Sequence, residues 1–480
     1  MAQLEAEVSL IETMIERLVS RRARLQGRMN ALSPICQLSP EILVKIFQMT
    51  CYLSEDSNQH ITPLFFGGIC KDWREIAWST PLLWNTISVK VWRRRHATQI
   101  SLLGEWLQRA QSSPLSIKLT SDDESDKTIP TSGCFRPVME LLITRAEYWQ
   151  TFDCVLPPRC HDVLLNHNFP LLTSVSLRPP TIGPMSTSIR LPNMFLWATP
   201  RLVHVDLSGY DFSAMLLPLG QLQRFKIDSL IVSGFFELLR LSRALKECYL
   251  GSVYPGSSKI LQCPPSQMLF HSDLEILDVL LVGNDGIRVL DNLNLPKLRV
   301  LSVRGREINI YPENRLFDTI SSLVLRSSCH LERLSIEQIS GIKDDAILAC
   351  LETIPLLTHL RLEFYLHATE PLPSIGFTEE LVSRLCPSQQ GQGSSYLLPR
   401  LASLEYQGPV PCHSHLLVDM LSKRWHHVSH SEGSGRHGGV SPRLTRAKID
   451  AAPIPVFDIP SDVRDDIVML VSEGMELEIQ

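Results

Sequence analysis

Residues 298–303 read Leu298-Arg-Val-Leu301-Ser-Val303, a leucine followed three and five positions later by further apolar side chains. The last two apolar residues alternate with polar ones, which is the two-residue period of a β-strand that buries one face. The same template begins at nine leucines, namely Leu172, Leu202, Leu222, Leu245, Leu274, Leu298, Leu331, Leu357 and Leu401. Successive templates begin 20 to 44 residues apart. The sequence therefore predicts a series of similar strands joined by longer connections.

Several of these connections have the apolar spacing of a helix. We expect helices within residues 234–245, 344–352, 378–385 and 415–425. One strand with one helix or loop per repeat resembles the leucine-rich-repeat pattern, in which neighbouring units stack to bury their leucines. The resemblance implies an α/β fold, an irregular solenoid with a parallel sheet. A non-repeating α/β domain with leucine-rich strands is the alternative.

The first 33 residues have a heptad pattern. Leu4, Ile11, Leu18, Leu25 and Leu32 recur every seven residues, and Val8, Ile15 and Met29 follow at the complementary spacing. Glutamates occupy the first half and arginines the second, which stabilises a helix through its macrodipole. The helix could lie on its own chain, or form a homodimer through residues 4–32, where an antiparallel pair would match acidic and basic ends.

Two short helices are predicted next. Residues 38–47 read Leu38-Ser39-Pro40-Glu41-Ile42-Leu43-Val44-Lys45-Ile46-Phe47, with Ser39 suited to the N-cap and Pro40 to the first helical position. A second amphipathic helix is predicted over residues 64–77, and Ser79-Thr80-Pro81 ends it. Leu82-Leu83-Trp84 then leads into an extended segment.

These segments together resemble the F-box as it is common in fungal proteins. The matching patterns are L-x-P-E-I-L-x-x-I-F, then I-C-x-x-W-R-x-I-A, then S-T-P-x-L-W, with Ser39 standing where the family usually has proline. The resemblance implies a small helical domain that docks a Skp-type adaptor and, through it, a cullin. By this resemblance the adaptor-binding residues are Leu38, Pro40, Ile42, Leu43, Ile46, Phe47, Trp73, Leu83 and Trp84. Trp73 is equally suited to the domain's own core.

The polar residues of the templates form a second candidate surface. They alternate with core residues, so we expect them on the outer face of the strands. The candidates for contact with an unknown protein substrate are His204, Asp206, Arg224, Lys226, Arg299, Glu332, Arg333, His359 and Arg361.

Composition excludes several classes of function. With 480 residues, 44% hydrophobic and 20% charged, the chain is long and apolar enough to bury a core. A formal net charge of −5 argues against nucleic-acid binding. The 12 scattered cysteines and the absence of a secretory pattern indicate free thiols in a reducing compartment, so we expect a cytoplasmic or nuclear location. No apolar stretch is long enough for a membrane span, and we expect no membrane association.

We find no pattern that indicates catalysis, a cofactor or a metal. Residues 433–438 fit G-x-G-x-x-G but lie in a polar tract without a preceding strand. Cys412, His413, His415, His426, His427 and His430 form a loose group that lacks the short cysteine spacing of a zinc site. We therefore expect no catalytic, cofactor-binding or metal-binding residue, with a repeat-fold enzyme as the third alternative.

The predicted organisation has six parts. They are an amphipathic helix (1–33), an F-box (34–88), connecting strands and a helix that open the array (89–160), leucine-rich repeats (161–425), a disordered linker (426–442) and a C-terminal unit with its cap (443–480). The function expected from this organisation is substrate recognition in an SCF-type ubiquitin ligase. The alternative is a scaffold outside any ligase that dimerises through its N-terminal helix.

Overall fold

A computed structural model describes most of the chain. The described residues are 2–31, 33–52, 62–92, 95–121, 132–180, 199–210, 217–254, 268–306, 315–339, 344–364, 376–387, 396–426, 443–451 and 459–479. Residues 427–442, most of the predicted disordered linker, lie outside these ranges, as do residues 54–60, 122–126 and 388–395.

The fold is mixed α/β with a large parallel sheet, as the strand templates predict. The chain divides into two compact units. Unit 1 comprises Met1–Cys154 and Phe169–Leu171, and unit 2 comprises Val155–Asn168 and Leu172–Gln480.

Unit 1 begins with helices. They are α1 (Ala2–Ala31), α2 (Pro40–Tyr52), α3 (Pro63–Ile69) and α4 (Lys71–Ser79), followed by a 3-10 turn at Pro81–Trp84. The helix predicted from the heptad pattern is confirmed, and α2 begins at Pro40 as expected. All described side chains of α1 from Leu4 to Met29 are exposed, so the alternative in which this helix lies on its own chain is wrong.

The single helix predicted over residues 64–77 is also wrong, because Cys70 separates α3 from α4. Cys70 has extended backbone angles, and its sulfur accepts a hydrogen bond from the Trp73 amide at 3.4 Å. The Arg74 side chain donates to the Gly67 carbonyl at 2.8 Å, which satisfies a carbonyl near the end of α3. The apolar stripe alone did not reveal these capping contacts.

Unit 1 continues with three parallel strands and two helices. The elements are β1 (Thr86–Val91), α5 (His96–Ala110), β2 (Leu115–Ser121), α6 (Ser132–Ile143) and β3 (Trp149–Val155). β2 pairs with β1 on one side and with β3 on the other. Parallel neighbours need long connections, and α5 and α6 supply them.

Unit 2 contains the strands that the leucine templates predict. They are β4 (Ser174–Arg178), β5 (His204–Leu207), β6 (Arg224–Ile227), β8 (Glu247–Tyr254), β10 (Ile276–Val282), β12 (Val300–Arg306), β13 (Arg333–Ile339), β14 (His359–Phe364) and β15 (Ser403–Gly408). Each pairs in parallel with the next, and β16 (Arg446–Ala451) and β17 (Glu476–Ile479) extend the order. Short strands β7 (Leu230–Ile231), β9 (Leu269–Phe270) and β11 (Leu293–Asn294) complete the set; β7 pairs with β8, and β9 with β11.

The helices of unit 2 lie in the connections. They are α7 (Val232–Leu241), α8 (Gly283–Asp291), α9 (Arg315–Ser327), α10 (Asp344–Glu352), α11 (Glu379–Leu385), α12 (Ser414–His426) and α13 (Ser461–Ser472). The four helices expected from the sequence correspond to α7, α10, α11 and α12, with ends that agree within a few residues. Helix α7 ends at Leu241, short of the expected residue 245. All nine leading leucines are buried, and core residues align across strands, as where Leu334 lies between Leu301 and Leu360. Burying one such side chain contributes about 1.5–3 kcal/mol.

Candidate functional site

The predicted adaptor-binding residues of α2 divide into inward and outward side chains. Leu43 and Phe47 are buried in unit 1, and Ile46 is half-buried. Leu38, Pro40 and Ile42 are exposed, Ile42 to 48%. A partner can reach the second set without unfolding the unit, whereas the first set forms its core.

An aromatic cluster fixes α2 against α3 and α4. The Phe47 and Phe66 rings stack with centroids 4.1 Å apart, and Trp73 lies 4.8 Å from Phe47. Trp73 is half-buried, so part of its ring serves the core. Gly67 allows close packing here, because a Cβ atom at this position would overlap the Trp78 ring. A Cβ atom at the neighbouring Gly68 would meet no atom within 4 Å.

Leu83 and Trp84 in the 3-10 turn are both buried. The Trp84 indole donates to the Ala77 carbonyl at 2.8 Å, and Trp106 donates to the Trp84 carbonyl at 2.8 Å. The Arg109 guanidinium lies 4.8 Å from the Trp84 ring centroid. These contacts make Trp84 a link between the turn, α4 and α5.

Several apolar side chains of this helical region remain exposed, including some that the sequence analysis missed. We call them the outer apolar set: Ile35, Leu38, Ile42, Met49, Leu64, Phe65, Ile69 and Leu82. Phe65 and Ile69 are four residues apart and therefore share one face of α3. That i, i+4 pair was the sequence signal that could have identified them. Contiguous exposed apolar patches, unlike single exposed apolar residues, mark interaction surfaces.

A cleft of about 730 Å³ opens beside β1, and the sequence analysis did not predict it. Its apolar wall includes Leu82, Trp92, Leu102 and Trp106, and its polar lining includes hydroxyl and lysine side chains of the strands. Gln99 shapes its rim by accepting from the Trp92 amide at 3.0 Å and donating to the Lys90 carbonyl at 2.7 Å.

The predicted substrate face forms rows across the strands of unit 2. His204, Arg224, Arg333 and His359 occupy one row position on β5, β6, β13 and β14. Asp206, Lys226 and Arg361 occupy the row two residues further along. Arg299 and Glu332 lie immediately before β12 and β13. Seven of the nine candidates are thus strand residues of the sheet face opposite the core leucines.

Ion pairs connect most of the charges in these rows. Lys226 binds Asp206 at 3.0 Å, Arg224 binds Glu247 at 3.5 Å, and Arg299 binds Glu332 at 2.7 Å. Arg361 reaches three glutamates, Glu337, Glu363 and Glu405, between 3.2 and 3.5 Å. Neighbouring strands therefore neutralise one another over much of this face.

Arg333 differs from these neighbours. It is exposed and makes no ion pair with any carboxylate among the described residues. Its neighbours across the strands are Val300 and His359, and Ile276 lies beside Val300. Burial, and next the charge of Arg333, lower the pKa of His359. A guanidinium without an ion pair to any described carboxylate thus borders the half-buried side chains of Val300 and Ile276.

Buried polar groups of unit 2 serve the packing. Arg424 donates to the carbonyls of Leu385 at 2.7 Å and Leu398 at 3.0 Å. Asp344 accepts from the Thr378 hydroxyl, and burial raises its pKa to about 6. Burial lowers the pKa of His161 to about 4, and its ring lies 3.3 Å from the Tyr210 hydroxyl.

Cys412 and the histidines considered as metal ligands have different surroundings. Cys412 is buried, and burial raises its pKa to about 12. His413, His415 and His426 approach Glu379, Asp462 and Glu473 respectively. His427, His430 and the 433–438 motif lie outside the described ranges. Over the described part of the chain, no group of three or more His, Cys, Asp or Glu side chains could hold a metal ion.

Among the helices in the described ranges, none has the length and apolar character needed to cross a membrane. Compared with known proteins, the chain matches no family model and no curated protein.

Proposed function

We propose that this chain is the substrate-recognition adaptor of an SCF-type ubiquitin ligase. Residues 34–88 act as an F-box that docks a Skp-type adaptor and thereby a cullin, and residues 161–425 form degenerate leucine-rich repeats that bind the substrate. The adaptor acts by proximity, so no residue of this chain is catalytic. It works in the cytoplasm or the nucleus, where ligase partners and reduced thiols coexist.

The observation that carries the proposal is the outer apolar set. Ile42 and Phe65 are exposed on α2 and α3, and Leu38 is exposed just before α2. The inner faces of these helices already have a core of Phe47, Phe66 and Trp73. An apolar surface left over after the core is complete is what a docking domain presents to its partner. The sequence patterns of this same region resemble the F-box.

The adaptor interaction is tested by co-expressing the full chain with a Skp-type adaptor and measuring the binding affinity. The variant Leu38→Glu/Ile42→Glu places charges on the exposed set and leaves Leu43 and Phe47 unchanged. We expect at least about 100-fold weaker binding, because burying two unpaired carboxylates in an interface is costly. The control Leu325→Glu changes an exposed leucine of α9 in unit 2 and retains full affinity.

The adaptor proposal would be rejected if the wild-type chain does not bind although its circular dichroism shows a folded protein. Binding without a co-purifying cullin would favour the scaffold alternative instead. Alanine substitutions at Leu43 and Phe47 are unsuitable here, because these buried side chains test folding.

On the substrate face, the free guanidinium of Arg333 beside Val300 and Ile276 fits a segment with a carboxylate next to an aliphatic side chain. Peptides displayed on phage provide the probe. We expect wild-type protein to enrich sequences that combine acidic and aliphatic residues, and Arg333→Glu to lose this enrichment. The control Arg446→Glu changes a paired arginine on β16. Equal enrichment by Arg333→Glu would contradict this assignment.

A further inference from the structure

The apolar heptad residues of α1, which we call its seam, are exposed along the described length of the helix. Leu4, Val8, Ile11, Ile15, Leu18, Leu25 and Met29 are each between 51% and 71% exposed. A single helix in water is marginally stable, and an uncovered apolar stripe adds no stability to it. A stripe of this length and heptad spacing is typical of a helix that pairs with another helix.

The charges of α1 are separated between its two halves. Glu5, Glu7, Glu12 and Glu16 precede Arg17, Arg21, Arg22, Arg24 and Arg28. In a parallel pair of identical helices, Arg22 would face Arg22 inside the seam, and Glu7 of one copy would flank Glu12 of the other. In an antiparallel pair, each acidic half lies along the basic half of the other copy. Opposite charges at flanking positions set the orientation of helix pairs.

In one antiparallel register, the apolar residues match within the described helix, residues 2–31. Leu4 of one copy lies beside Met29 of the other, Val8 beside Leu25, and Ile15 beside Leu18. Arg22 lies beside Ile11, where its guanidinium can reach Glu12 of the other helix. Glu7 and Arg28 flank the outer layers and form one ion pair at each end of the dimer.

We propose that α1 pairs with α1 of a second copy of this chain in an antiparallel coiled coil with this register. The inference goes beyond the proposed function, because it gives each assembly two substrate-binding regions and two docking domains. It depends on α1 alone and does not require that residues 34–88 bind an adaptor.

Cysteine cross-linking of the full chain tests the orientation. The chain has no cysteine before Cys36, so Leu4→Cys and Met29→Cys place new thiols in the seam. With antiparallel pairing, co-expressed Leu4→Cys and Met29→Cys chains form a disulfide-linked dimer under mild oxidation. Each variant alone cross-links no more than wild type, because equal positions are then roughly 35–40 Å apart at about 1.5 Å per residue. Cross-linking of Leu4→Cys with itself would overturn the proposal in favour of a parallel pair.

Charge reversal tests the register independently. Glu7→Arg and Arg28→Glu should each weaken dimerisation about 3- to 10-fold, measured by sedimentation equilibrium, and the double variant should recover wild-type affinity. The control Arg24→Glu carries the same charge change at a position facing away from the seam and has a smaller effect. A wild-type chain that remains monomeric at tens of micromolar would overturn the proposal.

Discussion

Leu18 in α1 and Leu334 in β13 both belong to repeated leucine patterns, yet their surroundings are opposite. Leu18 is 62% exposed, whereas Leu334 is 1% exposed between Leu301 and Leu360 of the adjacent strands. The strand template supplies its own partners, because each repeat places a leucine beside the leucine of the next. The heptad template of a single helix supplies none.

The same contrast exists within α2 and α3, where one face is buried in the core of unit 1 and the opposite face carries exposed apolar side chains. Unit 2 therefore uses its leucines for its own stability, while the N-terminal helices leave apolar residues exposed. This difference makes two kinds of substitution distinguishable, those that unfold the chain and those that affect its association.

The largest expected effect follows from removing a core leucine of the sheet. Leu334→Ala should lower the free energy of unfolding by about 2–5 kcal/mol, because it removes buried methyl groups and leaves a cavity. Urea denaturation followed by circular dichroism measures the change. The matched substitution Ile42→Ala on the exposed face of α2 should change stability by less than about 0.5 kcal/mol. Similar losses for both would contradict the distinction between the two regions.

A smaller effect is expected from the close contact in α3. Gly67→Ala should destabilise unit 1 by about 1–3 kcal/mol, because the added methyl group meets the Trp78 ring. Tryptophan fluorescence during denaturation reports mainly on this unit, since six of the eight tryptophans precede Cys154.

The control for this prediction is the neighbouring glycine. Gly68→Ala adds the same methyl group in the same helix, where no atom lies within 4 Å, and should be neutral or slightly stabilising. Equal destabilisation by both substitutions would mean that helix geometry, and not the Trp78 contact, requires glycine here.

The third prediction concerns pH and His161 in unit 2. Burial lowers its pKa from 6.5 to about 4, so the unfolded chain binds a proton before the folded chain does as pH falls. The stability from this group is present at pH 7.5 and is lost between about pH 6.5 and 4. Between pH 7.5 and 5.5, wild type should lose about 1 kcal/mol more than His161→Gln, whose side chain does not titrate.

Urea denaturation at the two pH values gives this difference directly. Asp344 changes the stability in the opposite direction, because burial raises its pKa to about 6. As pH falls, its carboxyl is protonated in the folded chain first, which removes the cost of burying its charge. Comparing wild type with His161→Gln cancels that contribution, since both retain Asp344. Parallel pH dependence of the two proteins would contradict a buried neutral His161.

Much of the strand order could be predicted from sequence, because the signal is local. All nine leucine templates correspond to strands, and their apolar residues are buried in register. Helix α8 was not predicted, since its sequence GNDGIRVLD contains two glycines that disfavour an isolated helix. The break at Cys70 depends on contacts of Arg74 and Trp73 with neighbouring turns, which an apolar stripe does not encode.

The candidate sites were less predictable than the fold. Leu43 and Phe47 are four residues apart and therefore share one face of α2, but spacing does not tell whether such a face meets the chain's own core or a partner. Phe66 and Trp73 decide this by covering Phe47. On the sheet, alternation predicted which side chains leave the core. The ion pair of Lys226, and the lack of one between Arg333 and any described carboxylate, depend on residues of other strands.

The smallest effect is expected for the ion pairs of the substrate face. Lys226 and Asp206 are 3.0 Å apart on adjacent strands, with both side chains in contact with water. Exposed pairs of this kind contribute about 0.2–1 kcal/mol, because water and salt screen the charges and ordering long side chains costs entropy. A double-mutant cycle with Lys226→Met and Asp206→Asn should give a coupling free energy in this range that decreases in 0.5 M NaCl. A coupling free energy above about 2 kcal/mol would instead mean that the charged rows stabilise the packing of adjacent strands. The paired side chains would then be required for folding, and the proposed substrate face would be limited to residues without a described ion pair, such as Arg333.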